Sequence, residues 1–99
     1  MLEISVEKKE SVLYVKPVGE IDTNSALMFE DTIQKNIEGT EKVVIDMKDV
    51  SYVSSAGLRV VIRLIKNGKA QDYVTLRNMT DAIRETLELV GLLDMVKTE

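Results

Sequence analysis

The sequence predicts an α/β domain: a mostly parallel mixed β-sheet, opened by an antiparallel strand pair and carrying packed helices. Three observations lead there. Residues 2–7 alternate Leu2, Ile4 and Val6 with Glu3, Ser5 and Glu7, the period of a half-buried strand. Residues 42–47 form a short, nearly continuous apolar run rich in β-branched side chains, the pattern of a central strand covered on both faces. Leu58, Val61, Ile62 and Ile65 recur at i, i+3, i+4 and i+7, the stripe of a helix lying on such a sheet. Short strand–helix–strand units take right-handed crossovers, which makes the later strands parallel.

In chain order, Lys8-Lys9-Glu10 is expected to turn the first strand into a second over residues 12–18. Leu13, Val15 and Pro17 fall on one side of that strand, and Pro17 marks an edge or an end because it cannot donate to a ladder. Asp22, Thr23 and Asn24 are competent caps for a first helix whose stripe is Ala26, Phe29, Ile33 and Ile37, ended near Gly39. After the central strand comes a loop tip, residues 50–57, that feeds the second helix. Asn67-Gly68-Lys69-Ala70 stops that helix, and residues 73–76 make a further strand. Asn78, Thr80 and Asp81 start a third helix with the stripe Ile83, Leu87 and Val90, closed by Gly91. Residues 92–96 suit either a last helical turn or an added strand.

Composition narrows the function. The chain of 99 residues fits one domain, residues 1–99. Seventeen acidic against thirteen basic residues give a net charge of −4, which argues against tracking a nucleic-acid backbone and for a protein partner or small ligand. With no Cys and no His, the chain lacks disulfides, ordinary zinc sites and imidazole-based catalysis. No stretch has the roughly 18 apolar residues of a membrane span, no signal peptide is expected from residues 1–7, and the lack of disulfides fits a cytoplasmic address.

The loop tip concentrates the remaining interest. Ser54, Ser55, Ala56 and Gly57 set two hydroxyls on small residues at a helix N-terminus, where a hydroxyl caps unpaired backbone N–H groups and negative charge is favoured. One capping serine is worth about 0.5–2 kcal/mol and needs no further role. A second beside it, followed by Arg59, Arg63 and Lys66 along the face opposite the apolar stripe, suggests a surface open to a protein. Catalysis is disfavoured: there is no Gly-x-Ser-x-Gly elbow, no His base and no Ser-x-x-Lys after either serine. Asp22, Asp46 and Asp49 are candidate metal ligands only weakly, since loop carboxylates more often cap. No Gly-rich loop supports nucleotide binding. Asp22 and the two serines both lie at strand-to-helix turns and are expected to share one end of the molecule.

The segment Asp46-Met47-Lys48-Asp49-Val50-Ser51-Tyr52-Val53-Ser54-Ser55-Ala56-Gly57-Leu58, with Gly19-Glu20-Ile21-Asp22 upstream, resembles the STAS domain of bacterial anti-sigma factor antagonists. The resemblance covers essentially the whole chain and implies a STAS-type fold. It also implies a non-enzymatic switch without cofactor or metal. In that family an unmodified antagonist binds an anti-sigma factor serine kinase; phosphorylation of a serine at this turn ends the interaction, and a metal-dependent serine phosphatase restores it. Laid on the family pattern Asp-Ser-Ser/Thr-Gly-Leu, the acceptor falls on Ser55, the family Asp on Ser54 and the second hydroxyl residue on Ala56. Ser54 is thereby a rival acceptor. Asp22, Ser54, Ser55, Gly57, Leu58 and Arg59 are the expected partner-contact residues, and the free protein is expected to be a monomer. The alternative within the family is a docking subunit of a transport complex or another regulatory output that does not involve a sigma factor.

Overall fold

The period-two pattern at the N-terminus forms strand β1 (Glu3–Lys9), which pairs antiparallel with β2 (Val12–Ile21). The computed structural model describes residues 2–68 and 72–99. Helix α1 (Ala26–Asn36) follows, then β3 (Lys42–Asp46), β4 (Val50–Val53), α2 (Ser55–Asn67), β5 (Val74–Arg77), α3 (Asp81–Leu89), a 3-10 turn at Leu92–Met95, and β6 (Lys97–Thr98). The sheet runs β1-β2-β3-β5-β6 with every pairing after the first hairpin parallel, and β4 pairs with the far end of β2.

Two expected boundaries in the first hairpin move. Lys8 and Lys9 extend β1, so the turn falls on Glu10 and Ser11, with Glu10 at φ 56°. β2 passes through Pro17 and continues to Ile21, because the missing N–H costs nothing there. Gly19 N donates to Asp49 O on the β4 side, and the period of two turns the Pro17 nitrogen the same way. On that side β3 pairing has ended at Val15 and β4 pairing has not begun. The loop tip likewise contains a strand, β4, that its four residues did not announce.

One apolar cluster takes Leu13, Val15, Val43, Ile45, Val74 and Leu76 from one face of the sheet. It takes Phe29, Ile33, Val60, Val61, Leu64, Ile83 and Leu87 from the helices. The opposite face carries Tyr14, Val44 and Thr75 side by side in register, with the Arg77 guanidinium 5.9 Å from the Tyr14 ring centre. Val44 and Thr75 are buried by sheet neighbours, so the apolar run of β3 does not mark helices on both faces.

Helix α2 is turned by one residue from its expected stripe: Gly57, Val60, Val61 and Leu64 face the core, while Leu58, Ile62 and Ile65 are half-buried at its flanks. Both sets follow the same period, and only the sheet contact chooses between them. In α3, Ile83 and Leu87 are buried as expected, but Val90 is the exposed C-cap. Gly39 and Gly91 adopt φ 79° and 75° just beyond α1 and α3, the left-handed geometry that ends helices. The second helix ends at Asn67 and Gly68 as expected, whereas Lys69 and Ala70 lie outside the described residues.

Candidate functional site

The extra length of β2 is what assembles the site. Its last residue, Ile21, pairs with Val53 of β4, and Ile21 O accepts from Ser54 N at 2.8 Å. The β2–α1 turn carrying Asp22 therefore lies beside the β4–α2 turn carrying Ser54 and Ser55, as expected from their positions at strand ends.

At the first turn the helix cap differs from the expected one. Ser25 occupies the N-cap position of α1, and Asp22 locks the approach to it. Asp22 Oδ1 accepts from Ser25 N at 2.8 Å and from Ser25 Oγ at 3.0 Å, while Ser25 Oγ accepts from Asp22 N at 2.9 Å. Short polar side chains favour such local closure over helix, which is why the helix starts four residues after Asp22. The Ser25 backbone N–H, then its hydroxyl, hold the Asp22 carboxyl below its ordinary value of 3.8. A depressed carboxylate stabilises the fold above its unfolded pKa, and that contribution disappears as pH falls through the lower folded value. Asp22→Asn is thus expected to melt below wild type at neutral pH, with the gap closing below about pH 3.8. Thermal melts across pH 2–7 test this, and a gap independent of pH contradicts it.

At the second turn the two serines separate into different roles. Ser54 is the N-cap of α2, 7 % exposed, and its Oγ accepts from Gly57 N at 3.2 Å. Ser55 is the first helical residue and is exposed, and among the described residues no hydrogen bond holds its hydroxyl. Gly57 is buried against β2 and β4; a Cβ there would stand 2.7 Å from Ile21 Cγ2. It can shape the contact end without touching a partner. Leu58 is half-buried and lines a groove of 280 Å³ with Tyr52, Ser55, Ala82 and Thr86, between β4, α2 and α3.

On the other side of Ser55, Thr23, Leu27, Ala56 and Arg59 line a shallower depression between α1 and α2. Arg59, Arg63 and Lys66 are all exposed, as their spacing predicts. Arg63 is not free: its Nε and Nη2 lie 2.6 and 3.0 Å from the two Glu30 carboxylate oxygens, tying α2 to α1. Sequence reasoning missed Tyr52 and Leu27, which are 52 % and 69 % exposed. Tyr52 carried a signal, a large aromatic in the motif segment, that was unreadable without knowing that β4 is a strand.

The three aspartates that could have approached one another each have a separate partner. Asp46 binds Lys48 N and Asn78, Asp49 faces Lys16, and Asp22 holds Ser25. Among the described residues no group of three ligating side chains gathers. None of their helices is long and apolar enough to cross a membrane.

The family model for the STAS domain matches residues 3–99. The anti-sigma-B factor antagonist of Bacillus subtilis is 29% identical over 96 residues, covering 96% of this chain and 88% of the relative. An anti-sigma factor antagonist from Mycobacterium paratuberculosis superposes with a TM-score of 0.89 at 23% identity, over 99% of this chain and 85% of that one. The Bacillus cell fate determinant SpoIIAA in its phosphorylated form superposes with a TM-score of 0.75 at 16% identity, over 98% of this chain and 91% of that one.

Proposed function

The chain belongs to the STAS domain family, and from that premise we propose that it is an anti-sigma factor antagonist switched by phosphorylation of Ser55. The observation that carries this reading is the division of labour at the α2 turn. Ser54 is buried and spends its oxygen on Gly57 N, whereas Ser55 presents a free, exposed hydroxyl at the same helix start. Modifying Ser54 requires breaking the cap and withdrawing a buried side chain; modifying Ser55 requires neither. A kinase that carries ATP supplies the phosphoryl group and the base, and this chain supplies only the acceptor.

In the unmodified state the Ser55 end, with the Leu58 and Tyr52 groove on one side and the Arg59 depression on the other, docks on an anti-sigma factor serine kinase. Asp22, Ser54 and Gly57 hold the two turns in register for that contact. A phosphate adds about −1.5 to −2 charges inside the interface and ends the interaction. A metal-dependent phosphatase resets the chain, and all three proteins meet in the cytoplasm. The chain is a regulator in this scheme and not an enzyme.

The test is incubation with the cognate kinase and ATP, followed by peptide mass spectrometry. Phosphate on Ser55 is expected. Phosphate on Ser54 alone, or on neither serine, overturns the reading.

A further inference from the structure

Arg59 stands alone on a helix where its neighbour does not. Arg63, one turn on, is held in a fork by Glu30. Arg59 is exposed at the edge of the α1–α2 depression, and among the described residues no hydrogen bond or ion pair engages it. Ser55 lies four residues earlier on the same helix and is also exposed. Residues at i and i+4 share one helix face with Cβ atoms about 5–6 Å apart. Helical side chains lean toward the N-terminus, so a long side chain at 59 covers the turn that begins at 55.

The charges around this pair point one way. The first turn of α2 has no acidic residue, and neither depression beside Ser55 is lined by Asp or Glu, in a chain of net charge −4. The groove on the β4–α3 side contributes one titratable group, the Tyr52 phenol. The depression on the α1 side contributes Arg59 and the engaged Arg63. Asp22, across the β2–α1 turn, keeps its negative charge, but it lines neither depression and its Oδ1 is held by Ser25 N–H and Oγ. An unmodified Ser55 gives a guanidinium nothing to pair with.

We propose that Arg59 is the internal counter-ion of Ser55 once Ser55 is phosphorylated. The order, anion at i and cation at i+4, is the favourable one on a helix, and the planar guanidinium matches two phosphate oxygens. Phosphorylation then acts twice: it adds charge to the contact end, and it withdraws Arg59 from that end by folding it back on its own helix. The inference rests on Ser55 as the acceptor, and its test does not require a kinase to choose that residue.

Phosphoserine is installed at position 55 of the full chain during synthesis, in wild-type, Arg59→Gln and Arg63→Gln backgrounds. The second ionisation of the phosphate is then followed by phosphorus NMR against pH. An adjacent cation favours the dianion, so Arg59→Gln is expected to raise this pKa by about half a unit, or about 0.7 kcal/mol at 1.36 kcal/mol per unit. The difference shrinks in molar salt, where the screening length is about 3 Å. Arg63→Gln is expected to leave the value in place. Equal pKa values in wild type and Arg59→Gln overturn the pairing, as does an equal rise with Arg63→Gln, which marks a diffuse positive field. Melting temperatures of the unphosphorylated variants verify the fold. A negative result here indicts Arg59, whereas mass spectrometry of the kinase product alone judges Ser55.

Discussion

Phosphoserine at position 55 is expected to weaken binding to the cognate anti-sigma factor kinase about a hundredfold, and Ser55→Asp about tenfold. Ser55 is exposed in the free chain, so its burial occurs only in the complex. Taking the phosphate and its Arg59 counter-ion out of water together costs several kcal/mol that one pairing does not repay, and about 3 kcal/mol already corresponds to a factor of a hundred. The single charge of Asp sits closer to the helix and is smaller, hence the weaker effect. Neither change should harm the fold: an acid in the first turn of a helix is stabilising by about 0.3–1 kcal/mol. Calorimetric titration of the kinase with wild type, Ser55→Ala, Ser55→Asp and the phosphorylated chain measures this. Ser55→Ala should bind within about threefold of wild type, because it removes no charge. Wild-type affinity in both charged forms would remove charge as the release mechanism.

The fold class was legible because its signals are local and redundant. The spacing in α1 follows the period of helical burial and the β-branched run of β3 has a fully buried middle, while the alternation in β1 marks a strand although only Ile4 in it is half-buried and Val6 is exposed. What escaped depends on partners distant in sequence. The residues of β4 look like a loop because only Val50 and Val53 are buried and the strand is four residues long. It becomes a strand through its pairing with the far end of β2. The one-residue rotation of α2 has the same origin. Gly57 has no apolar side chain to count in a stripe, yet it is buried directly against Ile21 and Val53 of the sheet.

The site was legible in its location more than in its internal chemistry. The hydroxyls at 54 and 55 are equal in sequence, and a helix start one residue later would make Ser55 the cap. The bond from Ile21 O to Ser54 N fixes which is the cap and which is the first helical residue. Similarly, Asp22, Thr23 and Asn24 are good caps by type, but the reciprocal bonds between Asp22 and Ser25 hold Asp22 in the turn before the helix, which leaves the N-cap position to Ser25. Cap preference names the residue types, and backbone path selects among them.

Gly57→Ala is expected to destabilise the chain by about 1–2 kcal/mol, lowering the melting temperature by about 5–15 °C for a domain of this size. The new methyl would stand 2.7 Å from Ile21 Cγ2, 3.0 Å from Val53 Cγ1 and 3.1 Å from Ile21 O. None of these can easily yield. Ile21 and Val53 are buried, β-branched and paired with each other, and the Ile21 carbonyl already holds Ser54 N. Overpacking of this kind costs about 1–3 kcal/mol, against up to about 1 kcal/mol gained from the better helix propensity of Ala. The strain is relieved by lifting the start of α2 away from β2. That same lift stretches the Ser54 N to Ile21 O bond and moves Ser55, so phosphorylation by the kinase should slow even at temperatures where the variant is fully folded. A double-mutant cycle identifies the cause: in the Ile21→Ala background the clash with Cγ2 is gone, and Gly57→Ala should then cost less than it does alone. A wild-type melting temperature for Gly57→Ala would show that the contact beneath the acceptor turn has room to spare, and equal costs in the two backgrounds would move the strain from Ile21 Cγ2 to Val53 Cγ1 or the Ile21 carbonyl.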